Sequence, residues 1–105
     1  MLQKNIILVS KLLRDSAQGQ ECTIRLPGIC NRDLSTTVLC HLHGGGLALK
    51  QSDLFAAFGC SSCHDEVDRR TRKMMADTAR MAFFEAMVRT QQYWLNQGMI
   101  GEGNG

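Results

Sequence analysis

The sequence predicts a small α+β domain closed by a long C-terminal helix, and three observations carry that reading. Four of the five cysteines fall into two pairs, Cys22-x7-Cys30 and Cys60-x2-Cys63. The stretch between the pairs is cut by turn signals at Pro27-Gly28, at residues 31–33 and at Gly44-Gly45-Gly46, which is the punctuation of short strands and loops. After Cys60 no glycine or proline occurs until Gly98, so a helix can run through most of that length. At 105 residues the chain can bury one core but not two independent ones.

Taken in order, residues 1–19 read as an N-terminal arm or helix, with Ile7, Leu8, Lys11, Leu12 and Asp15 at helical spacing and Gly19 as the stop. The run of residues 6–9 would equally suit a short strand. Residues 20–97 form the single domain. Within it residues 35–42 have strand character, and a period of two places Val38, Cys40 and Leu42 on one face and Leu39, His41 and His43 on the other. Ser52-Asp53 offers a helix N-cap ahead of a short helix or turn at residues 54–58. The long helical region, either continuous or broken near Thr71, carries a mostly apolar stripe at Val67, Met74, Thr78, Met81, Phe84, Val88, Gln91 and Leu95, which calls for burial. Residues 98–105 are expected to be a flexible tail.

The composition, 44% apolar and 21% charged with a single proline, is that of an ordinary globular protein. A net charge of +2 neither requires nor excludes a nucleic-acid partner, since a clustered basic face matters more than the sum. The longest apolar run, residues 6–9, is far below the roughly 20 residues a spanning helix needs. Lys11 and Arg14 stand where a signal peptide would place its cleavage site. The expectation is a cytoplasmic protein with no membrane partner. In a reducing compartment five cysteines read as four ligands and one spare, not as disulfides.

A Cys-x-x-Cys at a loop-to-helix junction lets both thiolates face one point, and a second pair completes a tetrahedral shell with no open position. Cys22, Cys30, Cys60 and Cys63 are therefore expected to hold one structural zinc ion, which substitutes for apolar burial that the loop segment cannot supply. A thioredoxin-like redox pair at Cys60 and Cys63 lacks the βαβ setting it needs. Cys40 reads as a small core residue. Directly after the second pair stands His64, and Asp68 lies one turn on, on the same helical face.

The paired cysteines, the strand Leu39-Cys40-His41-Leu42, the segment Ser52-Asp53-Leu54 and Cys60-x2-Cys63-His64 together resemble the HNH, or ββα-metal, endonuclease fold over residues 22–70. More closely, Glu21-Cys22-x-x-Arg25-x-Pro27-Gly28-x-Cys30-Asn31 with Cys-x-x-Cys-His-Asp-Glu-x-Asp-Arg-Arg at residues 60–70 resembles a family of short nucleases encoded by lambdoid prophages. The resemblance implies a metal-dependent endonuclease, a hydrolase cleaving DNA phosphodiester bonds in phage or prophage DNA metabolism or recombination. It implies that His41 polarises the attacking water and that His64 helps to hold a catalytic Mg2+ or another divalent cation. Asp53 stands where such enzymes carry an asparagine, as orienting group or oxygen ligand. The position before His41 is Cys40, where many HNH sites carry a metal ligand. That leaves His43 and Asp68 as candidates for the second ligand, with Asp53 behind them. The chemistry is coherent, because phosphodiester cleavage needs a base titrating near neutrality and a cation against the developing charge.

Arg69, Arg70, Arg72 and Lys73 follow this candidate site, and Arg25 and Arg32 lie in the cysteine loops. They are placed to contact phosphates on either side of a cut, although Asp65 to Arg69 and Glu66 to Arg70 are also spaced for intrahelical pairs. The methionines and Phe83 and Phe84 of the long helix are core residues, some of them available to a homodimer. Tyr93 and Trp94 read as packing anchors. The competing reading is a non-catalytic zinc-bound nucleic-acid-binding or assembly module in which the histidines are structural. Strandedness of the substrate, and DNA against RNA, stay open at this point.

Overall fold

The computed structural model describes residues 8–42 and 52–101. His43, and with it one of the expected ligands, lies outside the described residues. In chain order the elements are helix α1 (Lys11–Ser16), a single 3₁₀ turn (Leu34–Thr36), strand β1 (Val38–His41), strand β2 (Ala56–Gly59), helix α2 (Ser61–Val67) and helix α3 (Ala76–Asn96). The strands pair antiparallel, with Val38 opposite Gly59, Cys40 opposite Ala57 and His41 opposite Ala56. The result is a small α+β domain with a two-stranded sheet and a long C-terminal helix, as expected from the sequence.

The sheet separates two apolar clusters. On one face Cys40 and Ala57 join Ile24, Leu26 and the cysteines, and Phe83 and Ala86 of α3 close the cluster. On the other, Phe58 packs with Trp94, Leu13 and Ala17, with Leu39 against them. The alternation predicted for β1 thus holds: Cys40 is fully buried in the first cluster and Leu39 faces the second. Helix α1 is fastened to the second cluster by Leu13 and Ala17 and by a hydrogen bond from Trp94 Nε1 to Ser16 Oγ at 2.8 Å. Past α3, Gly98 takes φ of 71°, Met99 N returns to Trp94 O at 2.8 Å, and Met99 and Ile100 pack on the same cluster. This is a left-handed helix stop with its hydrophobic contact.

Three expectations are corrected. Residues 54–58 do not form a helix or turn throughout, because 56–59 are strand β2, buried at every position. A strand covered on both faces shows no alternation to read. Its small residues are required by the packing: a Cβ on Gly59 would lie 2.6 Å from Cys40 Sγ and 2.7 Å from Ile24 Cδ1. The strand expected from residue 35 starts only at Val38, since Asp33 caps the 3₁₀ turn by accepting from Ser35 N at 3.0 Å. The helical region is two helices with residues 68–75 between them, the broken form of the two foreseen.

The third correction concerns α3, whose buried face is Ala79, Phe83, Ala86, Thr90 and Trp94. Of the expected stripe, Met81, Val88 and Leu95 are more than half or half exposed, at 63, 68 and 50%. The small residues let the helix approach the sheet, and buried hydroxyls join the two. Thr90 Oγ1 accepts from Phe58 N at 3.2 Å and lies 3.0 Å from Thr23 Oγ1, which donates to Phe58 O at 2.9 Å. A polar residue on a buried face is affordable when every group is satisfied.

Candidate metal knot and active-site cleft

The cysteine loops lack regular structure and are shaped by their sulfurs. Cys22, Cys30, Cys60 and Cys63 bring their sulfurs within 4.8 Å of one another, and Cys60 and Cys30 Sγ are 3.8 Å apart. Backbone N–H groups point at the sulfurs: Arg25 N reaches Cys22 Sγ at 3.5 Å and Cys63 N reaches Cys60 Sγ at 3.4 Å. Such donors stabilise thiolate charge, and a hydrogen bond from Cys63 holds the Cys22 thiol well below its ordinary pKa. Arg25 and Arg32 take the left-handed conformation, at φ of 53° and 58°, which turns the chain sharply past Cys22 and past Cys30. The four residues could hold one metal ion, and three of them are buried. Cys40 is outside the group; burial pushes its thiol far up, as suits a core residue.

Cys60 is also the N-cap of α2, its Sγ accepting from Cys63 N. The knot therefore fixes the start of the helix that presents His64. His64 Nε2 lies 3.0 Å from Asp68 Oδ2, the one-turn pairing expected from the sequence. His41, at the end of β1, has Nε2 2.7 Å from Asp53 Oδ1. Asp53 is fully buried, and its Oδ2 accepts from Ser10 N at 2.7 Å and Arg14 Nε at 3.0 Å. Burial alone would raise this carboxyl, but the donors Ser10 N, His41 and Arg14 outweigh it and hold it below the usual carboxylate range. Asp53 is thus no helix cap. With Ser52, whose Oγ accepts from Leu8 N at 2.9 Å, it ties the N-terminal segment to the histidine strand.

His41 and Asp68 line one cleft of about 90 Å³, together with Leu42, Val67, Arg69, Ala76, Arg80 and Phe83. His64 joins it through Asp68. Among the described residues only the four cysteines form a ligand group of three or more that lies this close together, so His41 with Asp53 and His64 with Asp68 are two histidine–carboxylate pairs beside one cleft and not a closed cage. Arg25 stands elsewhere, lining a cavity of about 540 Å³ beside the cysteines with Arg32.

The loop between α2 and α3 carries the other basic residues. It is built around Glu66, fully buried, whose carboxylate accepts from Thr71 Oγ1 at 2.6 Å, Met74 N at 3.0 Å, Lys73 N at 3.2 Å and Arg69 Nη1 at 3.4 Å. The bond from Thr71 is the chief cause that holds this carboxyl below its ordinary range, against the opposing effect of burial. The intrahelical pairs foreseen are therefore exchanged: Glu66 takes Arg69, and Asp65 takes Arg70 at 3.5 Å. The helix ends before the partners four residues on could align. Arg70, Arg72 and Lys73 remain exposed. Three residues take parts that the sequence does not assign them: Arg14, Glu66 and Arg80. Arg14 meets Asp53 across 39 residues of chain and Arg80 lines the cleft from α3, whereas Glu66 gathers partners three to eight residues on.

A four-cysteine knot at the root of a histidine-bearing helix, with a buried carboxylate behind a strand histidine, defines a small protein whose cysteines could hold a metal ion beside a cleft of mixed lining. Known proteins place it further. The family profile described as "Putative nuclease YbcO" matches residues 11–99. The proteins called "Putative nuclease YbcO" from Escherichia coli strain K12 and "Putative nuclease ybcO" from Enterobacteria phage 82 are each 46% identical to this chain over 91 residues, covering 84% of it and 95% of the relative. A solved structure titled "Structure of a putative bacteriophage protein from Escherichia coli str. K-12 substr. MG1655" superposes with a TM-score of 0.75 at 45% identity, covering 83% of this chain and all of that one. The chain belongs to the YbcO family.

Proposed function

We propose that this protein is a metal-dependent endonuclease of the HNH, ββα-metal type, hydrolysing DNA phosphodiester bonds in phage or prophage DNA metabolism or recombination. The observation that carries the reading is the His41–Asp53 pair at 2.7 Å, opening on the cleft that also holds Asp68. Asp53, kept ionised by its donors, accepts from Nε2–H of His41 and leaves Nδ1 as the basic nitrogen. Nδ1 takes a proton from the attacking water as its oxygen bonds to phosphorus, and the bond to the leaving sugar oxygen breaks. His64 and Asp68 supply an imidazole and a carboxylate that fit a divalent cation completed by water and phosphate oxygens, and His43 is a further candidate. When bound, Mg2+ or a similar ion offsets the charge that builds on the phosphate and the leaving oxygen. Arg69, Arg70, Arg72 and Lys73 would contact the flanking phosphates, and Arg25 and Arg32 a more distant part of the duplex.

The knot is read as structural zinc. A Zn–S bond of about 2.3 Å implies an S–S edge of about 3.8 Å in a tetrahedron, and the Cys30–Cys60 separation equals it. The family's names support a nuclease, and the charge-bearing loop around Glu66 supports DNA as the substrate. No helix among the described residues is long and apolar enough to cross a membrane. The exposed apolar side chains Met81, Phe84 and Val88 support a homodimer through α3, a reading that sedimentation velocity would remove by returning a monomer at every concentration. The nuclease itself is tested by divalent-metal-dependent nicking of plasmid DNA, which His41→Ala should abolish.

A further inference from the structure

Arg14 belongs to helix α1, outside the segment that resembles HNH enzymes, yet it reaches the carboxylate that orients His41. Its Nε donates to Asp53 Oδ2 at 3.0 Å while His41 Nε2 meets Oδ1 at 2.7 Å, so guanidinium and imidazole stand one carboxylate's width apart. Asp53 is fully buried and the Arg14 side chain is 43% exposed. A bond through Nε fixes the plane of the guanidinium, and no described residue accepts from its two Nη groups. A planar fork with fixed orientation, partly in solvent and beside a base, suits two phosphate oxygens better than a flexible ammonium would. Three further ties hold the arm in register: Leu8 N to Ser52 Oγ at 2.9 Å, Asp53 N to Leu8 O at 2.8 Å and Ser10 N to Asp53 Oδ2 at 2.7 Å.

We propose that Arg14 is a catalytic residue contacting the substrate phosphate next to His41, with Asp53 as the common anchor of base and phosphate clamp. This rests on the nuclease reading, and it assigns to the N-terminal segment a part in the site. The contact neutralises one phosphate charge, so its loss should appear in the salt dependence of binding, independently of cleavage.

The test measures binding of a fluorescein-labelled DNA duplex by zinc-loaded protein without added Mg2+, over a range of salt, and cleavage separately with Mg2+. Arg14→Gln should lower the slope of log Kd against log salt by about 0.9. Arg14→Lys should keep the slope but lose about tenfold or more in kcat, because an ammonium cannot hold two oxygens in place. Lys11→Gln, exposed on the same helix and paired with Asp15, should change the slope by less than half as much. An unchanged slope in Arg14→Gln, with the wild type binding, overturns the proposal. Duplex binding without cleavage by the wild type would sink the nuclease reading and the catalytic role while leaving the phosphate contact measurable; no binding at all would sink both. If Arg14→Gln does not fold, wild-type protein labelled at arginine with 15N decides: the Arg14 Nη signals must shift on adding duplex, and their constancy overturns the assignment.

Discussion

Removing the metal from the cysteine knot should unfold the protein. Cys22, Cys60 and Cys63 are among the nine buried residues of the larger apolar cluster and Cys30 packs against it, and the chain between α1 and the 3₁₀ turn has no helix or strand of its own to hold it. A structural zinc site contributes about 10–16 kcal/mol at neutral pH, whereas the whole net stability of a domain is about 5–15 kcal/mol. Without the ion the balance is lost, and four sulfurs within 4.8 Å are left competing for protons. Trp94, the single tryptophan and fully buried, reports the outcome by fluorescence, with far-UV circular dichroism beside it. A strong chelator should abolish the cooperative thermal transition, and one equivalent of Zn2+ should restore it. Cys40→Ala should still bind one equivalent, since Cys40 lies outside the knot, while Cys63→Ala should bind none tightly. A chelated protein that melts cooperatively near the holo temperature would refute the reasoning.

Other outcomes follow from the packing and the buried charges. Gly59→Ala must displace Cys40 Sγ and Ile24 Cδ1 and should cost about 1–3 kcal/mol in a denaturant titration, partly recovered by Ile24→Val. Glu66 has a folded pKa below its ordinary 4.5, so the stability it contributes is complete above that value and is lost as pH falls through the lower folded value. Melting temperatures recorded downward from pH 5 should therefore fall less steeply in Glu66→Gln than in the wild type, and equal slopes would contradict the role given to the buried carboxylate.

What could be read in the sequence was what local chemistry dictates. The spacing of Cys22, Cys30, Cys60 and Cys63 announced the knot, the period of two set Cys40 apart from His41, and His64 with Asp68 followed from the turn of a helix. Strand β2 was illegible because Ala56-Ala57-Phe58-Gly59 has the composition of neither a strand nor an alternating pattern; its reason is the close approach of Cys40 and Ile24. The buried face of α3 is not the stripe of its largest apolar residues, which includes the exposed Met81 and Val88, because proximity to the sheet selects Ala79, Ala86 and Thr90. Ser52-Asp53 obeys the local rule for a helix cap, and only contacts from Leu8, Ser10, Arg14 and His41 reveal its use. Asp53 owes its place to partners twelve to forty-three residues away, beyond the reach of any short pattern, and Glu66 to partners three to eight residues on in a loop that no helical spacing describes.

The central claim is that His41, held by Asp53, is the base of a metal-dependent nuclease, and the most direct test is plasmid nicking by purified zinc-loaded protein. The account predicts cleavage that requires added divalent cation and falls by about 10²-fold or more in His41→Ala, with the zinc content and melting temperature of the variant unchanged. Cleavage by His41→Ala at the wild-type rate, or no cleavage by the wild type with any divalent cation, would contradict it.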